Sequence, residues 1–245
     1  MVKRRISLTI EKDLVKKVDY LIDKSLIKNR SQAFEFLIKE YFRRKEVKKC
    51  FILVSDWRNQ FRKINDYLLI SHNIKKIKEA GIENIFVVTP HEEKFLKIPE
   101  IKIIKERERL GNIGALWLCK NELENNENFL TIYENVLIEF DLRELFNFHI
   151  SKNSIATFVV CEYESEKSRD LIKIRGDRIV EYKWIKNGIK TNISGCGVFV
   201  FNEKIYNLIP ERKGMLEELL FPLLAKSDNF FAFFIPKEEW REFEE

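Results

Sequence analysis

Two hundred and forty-five residues, 45% of them hydrophobic, suffice for one large domain or for a small one joined to a medium one, and they argue against intrinsic disorder. Only 8 Gly and 5 Pro exclude collagen-like and low-complexity chains, and no apolar run approaches the roughly 18 residues that cross a bilayer. The net charge of +5 is uneven: residues 1–50 hold 15 Lys and Arg against 7 Asp and Glu, whereas the other 195 residues hold 29 against 32.

A basic head of this kind is the electrostatic footprint of a module that meets phosphate. Its first residues lead into no secretory apolar stretch, and Cys50, Cys119, Cys161 and Cys196 form no C-x-x-C pair. Together these features predict a cytoplasmic chain with reduced cysteines, no structural zinc and no membrane partner. Arg5 to Ile10 alternates polar and apolar residues at period two, which predicts a short half-buried strand with Arg5, Ser7 and Thr9 on its polar face. From Lys12 the spacing of Leu14, Val18, Leu21 and Ile22 predicts an amphipathic helix ending near Lys24. Asn29-Arg30-Ser31-Gln32 has a capping-box arrangement before a second helix lined by Phe34, Leu37, Ile38 and Tyr41.

This order, from Arg5 to Phe42, resembles the ribbon-helix-helix DNA-binding domain of the MetJ and Arc repressor type. The resemblance implies a homodimer in which two chains pair their strands and the ribbon enters the major groove of a palindromic double-stranded DNA operator. Arg5, Ser7 and Thr9 would then read base edges, and the helix start at Asn29, Arg30 and Ser31 would meet a phosphate.

Beyond the head, apolar runs at Phe51–Val54, Ile85–Val88, Phe129–Ile132, Ile155–Val160 and Val198–Phe201 alternate with helical patterns near 74–80, 114–123 and 142–149. That order predicts an α/β domain with a mostly parallel, Rossmann-like sheet. Phe230 to Phe234 reads as one more buried strand. The predicted organisation is a head over residues 1–48 and a body over residues 49–245.

Leu110-Gly111-Asn112-Ile113-Gly114-Ala115-Leu116 is similar to the L-G-T-A-G-A-L loop of the sugar-phosphate nucleotidyltransferases, a GT-A-like fold that joins an NTP to a sugar phosphate with release of pyrophosphate. Phe129 to Leu137, followed by Phe140 to His149, resembles that family's F-L-V-L-N-G-D-V-L and D-L-R-E-L-L-E-F-H. Ile174 to Tyr182 and Gly195 to Phe201 resemble its I-D-G-D-R-I-V-E-F and N-A-G-I-Y-V-F. The resemblance implies a nucleotide, sugar nucleotide or sugar phosphate as ligand, with Gly111, Asn112, Gly114 and Asn135 as candidate contacts. In that setting Gly111→Val is expected to remove ligand binding with only modest unfolding.

The departures fall on the chemistry. The family's G-G-x-G-T-R loop is replaced by Ser55-Asp56-Trp57-Arg58-Asn59-Gln60, which has no glycine to let backbone close on a triphosphate. The metal-binding Asp of N-G-D is replaced by Asn135, and the second metal Asp falls on Glu242 of Trp240-Arg241-Glu242. The expectation is therefore a body with no catalytic residues, metal or cofactor, acting as ligand sensor or scaffold for a sequence-specific transcriptional regulator. The alternatives are an active sugar-phosphate nucleotidyltransferase with a basic DNA-binding appendage, and an antitoxin-type autoregulator.

Overall fold

The structure, a computed structural model, describes residues 4–23, 25–209 and 212–243. Its contacts divide the chain into two compact units, Met1–Lys45 and Glu46–Glu245.

The first unit contains α1 (Lys12–Asp19) and α2 (Arg30–Lys45). The α1 helix ends before Lys24, which lies outside the described residues. The Asp23 carboxylate ends the helical run by accepting the N–H groups of Ser25, Leu26 and Ile27 at 2.8 to 2.9 Å. Asn29 caps α2 by accepting the Gln32 N–H at 3.0 Å, while the Gln32 side chain reaches back to the N–H of Lys28 rather than to that of Asn29. Val18 and Ala33 are buried between the helices, and Leu14, Leu37 and Ile38 stay exposed.

The predicted strand at Arg5–Ile10 is not formed. Among the described residues no strand of this unit lies beside it, so its alternating pattern finds no ladder, and Ile6 and Leu8 remain 65% and 61% exposed. The ribbon-helix-helix head, whose strand would pair with a second chain, is thus not shown, and the DNA roles read for Arg5, Ser7, Thr9, Asn29, Arg30 and Ser31 are without support. Arg30 in particular spends its guanidinium on Asp19, with Nε donating to Oδ1 at 2.6 Å and Nη2 to Oδ2 at 2.8 Å.

The second unit runs β1 (Val47–Leu53), α3 (Trp57–Gln60), β2 (Lys63–Ile64), β3 (Tyr67–Leu68), α4 (Leu69–Glu79), β4 (Asn84–Thr89), α5 (Glu92–Phe95), β5 (Lys102–Lys105) and α6 (Gly111–Leu118). It continues with β6 (Asn128–Tyr133), β7 (Val136–Ile138), α7 (Leu142–Lys152), β8 (Ala156–Arg175), β9 (Arg178–Asn202), α8 (Leu216–Leu219), α9 (Phe221–Lys226), β10 (Phe230–Ile235) and β11 (Trp240–Glu242). Seven strands form the main sheet in the order β10-β8-β9-β6-β1-β4-β5, and β11 pairs separately with β7. Neighbours are parallel except where β9 pairs with β8 and β6. The mostly parallel α/β architecture is therefore observed.

Apolar runs rather than alternation mark these strands because both faces are covered. On β1, Cys50, Ile52 and Val54 face one core with residues of α4, α5 and α7, while Phe51 and Leu53 face the other with residues of α6, α8 and α9. The four cysteines are free and buried.

His149 of α7 is 1% exposed, with Nδ1 2.9 Å from Thr157 Oγ1 and Nε2 3.3 Å from Asn128 Oδ1. The Asn128 Oδ1 can only accept, so the ring is the neutral Nε2–H tautomer, and burial lowers its pKa to about 3. A histidine depressed in the folded state favours folding above its unfolded value and loses that contribution as acid charges the unfolded chain. Below about pH 6.5, His149 should therefore subtract about 1.4 kcal/mol of stability per pH unit down to about pH 3. Denaturant titrations of wild type and His149→Phe across that range check this: the acid slope should flatten in the variant, and an unchanged slope would refute it.

Candidate nucleotide site

Strands β1, β4, β5 and β6 are parallel, so their carboxyl ends share one edge, where open α/β sheets take ligands. The register places Leu53 beside both Tyr133 and Val88, and Thr89 beside Lys105. The residues that follow therefore converge: Ser55 after β1, Glu106 after β5, and Glu134 and Asn135 after β6. They line a cavity of about 610 Å³ that Gly111, Asn112, Glu217 and Glu242 also enter.

Gly111 opens α6 with φ +77°, and a Cβ there would lie 2.2 Å from the Gly214 carbonyl oxygen. Ile113 N–H donates to that same oxygen at 3.2 Å, and Gly214 N–H donates to Leu110 O at 2.8 Å. The glycine thus allows one backbone segment to cross another. Gly114 is buried against Leu110 and the Arg212 carbonyl and is absent from the cavity wall, so it serves packing.

Asn112 faces the cavity but uses its whole amide internally. Its Oδ1 accepts Leu216 N–H at 2.7 Å, and its Nδ2 donates to Tyr133 Oη at 2.8 Å and Glu217 Oε2 at 3.0 Å. Tyr133 donates its hydroxyl to Glu217 Oε1 at 2.6 Å. Burial, then the Glu217 charge, pushes the Tyr133 pKa up and keeps this hydroxyl a donor.

Asn135 donates Nδ2 to Glu242 Oε1 at 2.9 Å. Antiparallel pairing of β11 with β7 brings them together, with Glu242 opposite Val136. Asp56, read from sequence as a charge that repels phosphate, caps α3 by accepting Arg58 N–H at 3.0 Å and pairs with the Arg58 guanidinium, which lowers its pKa. Its charge is largely offset.

Three residues of the cavity carry no local sequence signal. Glu106 is 8% exposed, and burial raises its carboxyl pKa against the opposing Leu110 N–H and Arg109. Glu134 is half-buried and raised for the same first reason, against hydrogen bonds from Asp56 and Ser55. Glu217 lies 105 positions from its partner Asn112, so only folding relates them.

Residues 54–242 match the family model described as Nucleotidyl transferase. The chain belongs to the nucleotidyl transferase family. Among its relatives, mannose-1-phosphate guanylyltransferase 1 of Arabidopsis thaliana is 24% identical over 185 residues, 69% of this chain and 50% of that protein. The mannose-1-phosphate guanylyltransferase catalytic subunit beta of Danio rerio is 22% identical over 177 residues, 67% of this chain and 49% of that protein. The chain thus spans about half the length of the curated relatives it matches.

Solved structures show the same fold. HddC from Yersinia pseudotuberculosis complexed with GMP-PN matches with a TM-score of 0.64 at 16% identity, over 81% of this chain and 93% of that one. The inositol-1-phosphate CTP transferase from T. maritima also gives 0.64 at 16% identity, over 80% and 89%.

These findings overturn the reading of the chain as a DNA-binding transcriptional regulator with a non-catalytic body. The family and the relatives named above are transferases, which supports the alternative of a sugar-phosphate nucleotidyltransferase, and a DNA partner has no support. The antitoxin reading rested on the same head, which is not shown. No helix among the described residues is long and apolar enough to cross a membrane.

Proposed function

We propose that this protein transfers a guanylyl group from GTP to a sugar 1-phosphate. The observation that carries the reading is the cavity that joins Glu106, the start of α6 at Gly111 and the Asn135–Glu242 pair at the carboxyl edge of the sheet. In the reaction, a phosphate oxygen of the acceptor forms a bond to the α-phosphorus of GTP, the bond from that phosphorus to the bridging oxygen of the β-phosphate breaks, and pyrophosphate leaves.

Base choice follows from Glu106. An ionised carboxylate only accepts, and guanine alone among the bases presents two adjacent donors, N1–H and the N2 amino group, on its pairing edge. Adenine and cytosine put an acceptor beside their amino group, and uracil flanks one donor with two carbonyls. The relatives' names as guanylyltransferases agree with this choice.

The resemblance implies a magnesium ion, and the donor set fits one carried in on the nucleotide. Among the described residues no three His, Cys, Asp or Glu side chains form a metal cage. Magnesium needs only one or two carboxylates when substrate phosphates and waters complete its shell. Glu242 and the Asn135 carboxamide oxygen would hold it, and when bound it would offset phosphate charge in a cavity whose lining includes Glu106, Glu134, Glu217 and Glu242.

Pyrophosphate release from GTP, ATP, CTP and UTP with a panel of hexose 1-phosphates and magnesium tests the reading. GTP should be the preferred donor, and release from no nucleotide refutes it. Glu242→Gln should raise the half-saturating magnesium concentration by about tenfold or more, since a neutral amide replaces the carboxylate ligand. The melting temperature should hardly move, because Gln can still accept from Asn135. An unchanged magnesium requirement would place the ion elsewhere.

A further inference from the structure

The backbone donors at the end of β1 are already taken. Ser55 and Asp56 both donate their N–H groups to Glu134 Oε2, Asp56 at 2.9 Å, and the Ser55 hydroxyl donates to Glu134 Oε1 at 2.9 Å. Three donors converging on one anion where a parallel strand ends is the arrangement by which backbone holds a phosphate. Here the anion belongs to the chain itself.

The carboxylate is presented rather than wandering. Fully buried Gln60 donates Nε2 to the Glu134 carbonyl. On either side, Tyr133 is tied to Glu217 and Asn135 to Glu242. The peptide carrying Glu134 is thus held on three sides, and its side chain reaches Ser55, which lines the same cavity as Glu106 and Gly111.

We propose that Glu134 is a specificity-determining residue: its carboxylate competes with the polyphosphate of the nucleotide for the donors of Ser55 and Asp56, and so sets how tightly the site holds that anionic end. Two anions cannot share the same N–H groups, and a phosphate approaching an occupied position meets repulsion before it meets a donor. The base is unaffected, since Glu106 follows β5 and Gly111 opens α6, away from the end of β1. The inference rests on the nucleotide site proposed above, and its test separates the two.

Calorimetric titration of the full chain, in magnesium-free buffer at neutral pH, uses inorganic tripolyphosphate and guanosine as probes on wild type, Glu134→Ala and Glu134→Gln. Tripolyphosphate should bind about tenfold or more tighter to Glu134→Ala, the scale of one released charge-assisted hydrogen bond. The gain for Glu134→Gln should be smaller, since its amide oxygen still accepts from the same groups without the charge. Guanosine should bind all three alike, an outcome that a general loosening of the fold would not produce. If tripolyphosphate affinity is unchanged or weaker in either folded variant while guanosine binds, the competitor role is wrong and the base site stands. If guanosine fails to bind wild type while tripolyphosphate still tightens in the variants, the competitor role stands and the guanylyl reading falls. Should Glu134→Ala not fold, the Gln variant decides: a tighter tripolyphosphate complex supports the proposal, and no change overturns it.

Discussion

Replacing Glu106 by Gln is expected to lower kcat/KM for GTP by about two to three orders of magnitude, the worth of roughly one to two hydrogen bonds to a charged group. The carboxylate is 8% exposed, lines the cavity and carries two acceptor oxygens, Oε1 lying 3.5 Å from the Leu110 N–H, to match the two donors of guanine. Glutamine keeps one acceptor but turns an N–H₂ against a guanine donor, which leaves two buried donors facing each other. The GTP to ATP preference should therefore collapse along with the rate. Steady-state kinetics with both nucleotides check this, and a variant that kept the wild-type preference would move base recognition to another residue.

The same carboxylate predicts a pH dependence of known sign. Burial raises the Glu106 pKa from its ordinary value, and only the ionised form accepts from both guanine donors. KM for GTP should accordingly rise as pH falls through that raised value, at a higher pH than an exposed glutamate would allow, and the Gln variant should lose this dependence.

Gly111→Val should destabilise the second unit by about 4 kcal/mol or more, lowering its melting temperature by about 10 °C. This corrects the expectation of modest unfolding drawn from the sequence. At φ +77° a branched side chain is strained, and its Cβ would sit 2.2 Å from the Gly214 carbonyl oxygen, a backbone atom that cannot swing aside. Gly176 provides the control. It has φ +65° in the turn between β8 and β9, and a Cβ added there would meet nothing within 4 Å, so Gly176→Ala should cost only about 1 kcal/mol of backbone strain. Thermal melts of both variants separate crossing from conformation, and equal losses would show that the Gly111–Gly214 contact contributes nothing.

Much of the second unit was legible from residue order. Phe51 to Val54, Ile85 to Val88 and Phe129 to Ile132 read as strands because a strand covered on both faces needs an apolar residue at every position, and that demand is local. The Leu110–Leu116 segment and Asn135 were singled out by the family resemblance, whose spacing is kept along the chain. Even the Glu242 column could be placed, although its contact with Asn135 depends on β11 returning beside β7.

Pairing was not legible. Arg5 to Ile10 carries the alternation of a strand, yet a strand exists only when a neighbour accepts its N–H groups, and none is present among the described residues of that unit. Against the family it resembles, the Ser55–Gln60 segment reads as a phosphate loop stripped of its glycines; folding shows the N–H groups of Ser55 and Asp56 occupied by Glu134, 79 and 78 positions away. Likewise nothing along the chain relates Asn112 to Tyr133, Leu216 and Glu217, whose groups bond its amide at the cavity wall. Periodicity and spacing depend on neighbours along the chain, which the sequence alone supplies. Which polar group satisfies which depends on sheet register and on loops meeting at one edge, and those distances arise only once the chain has folded.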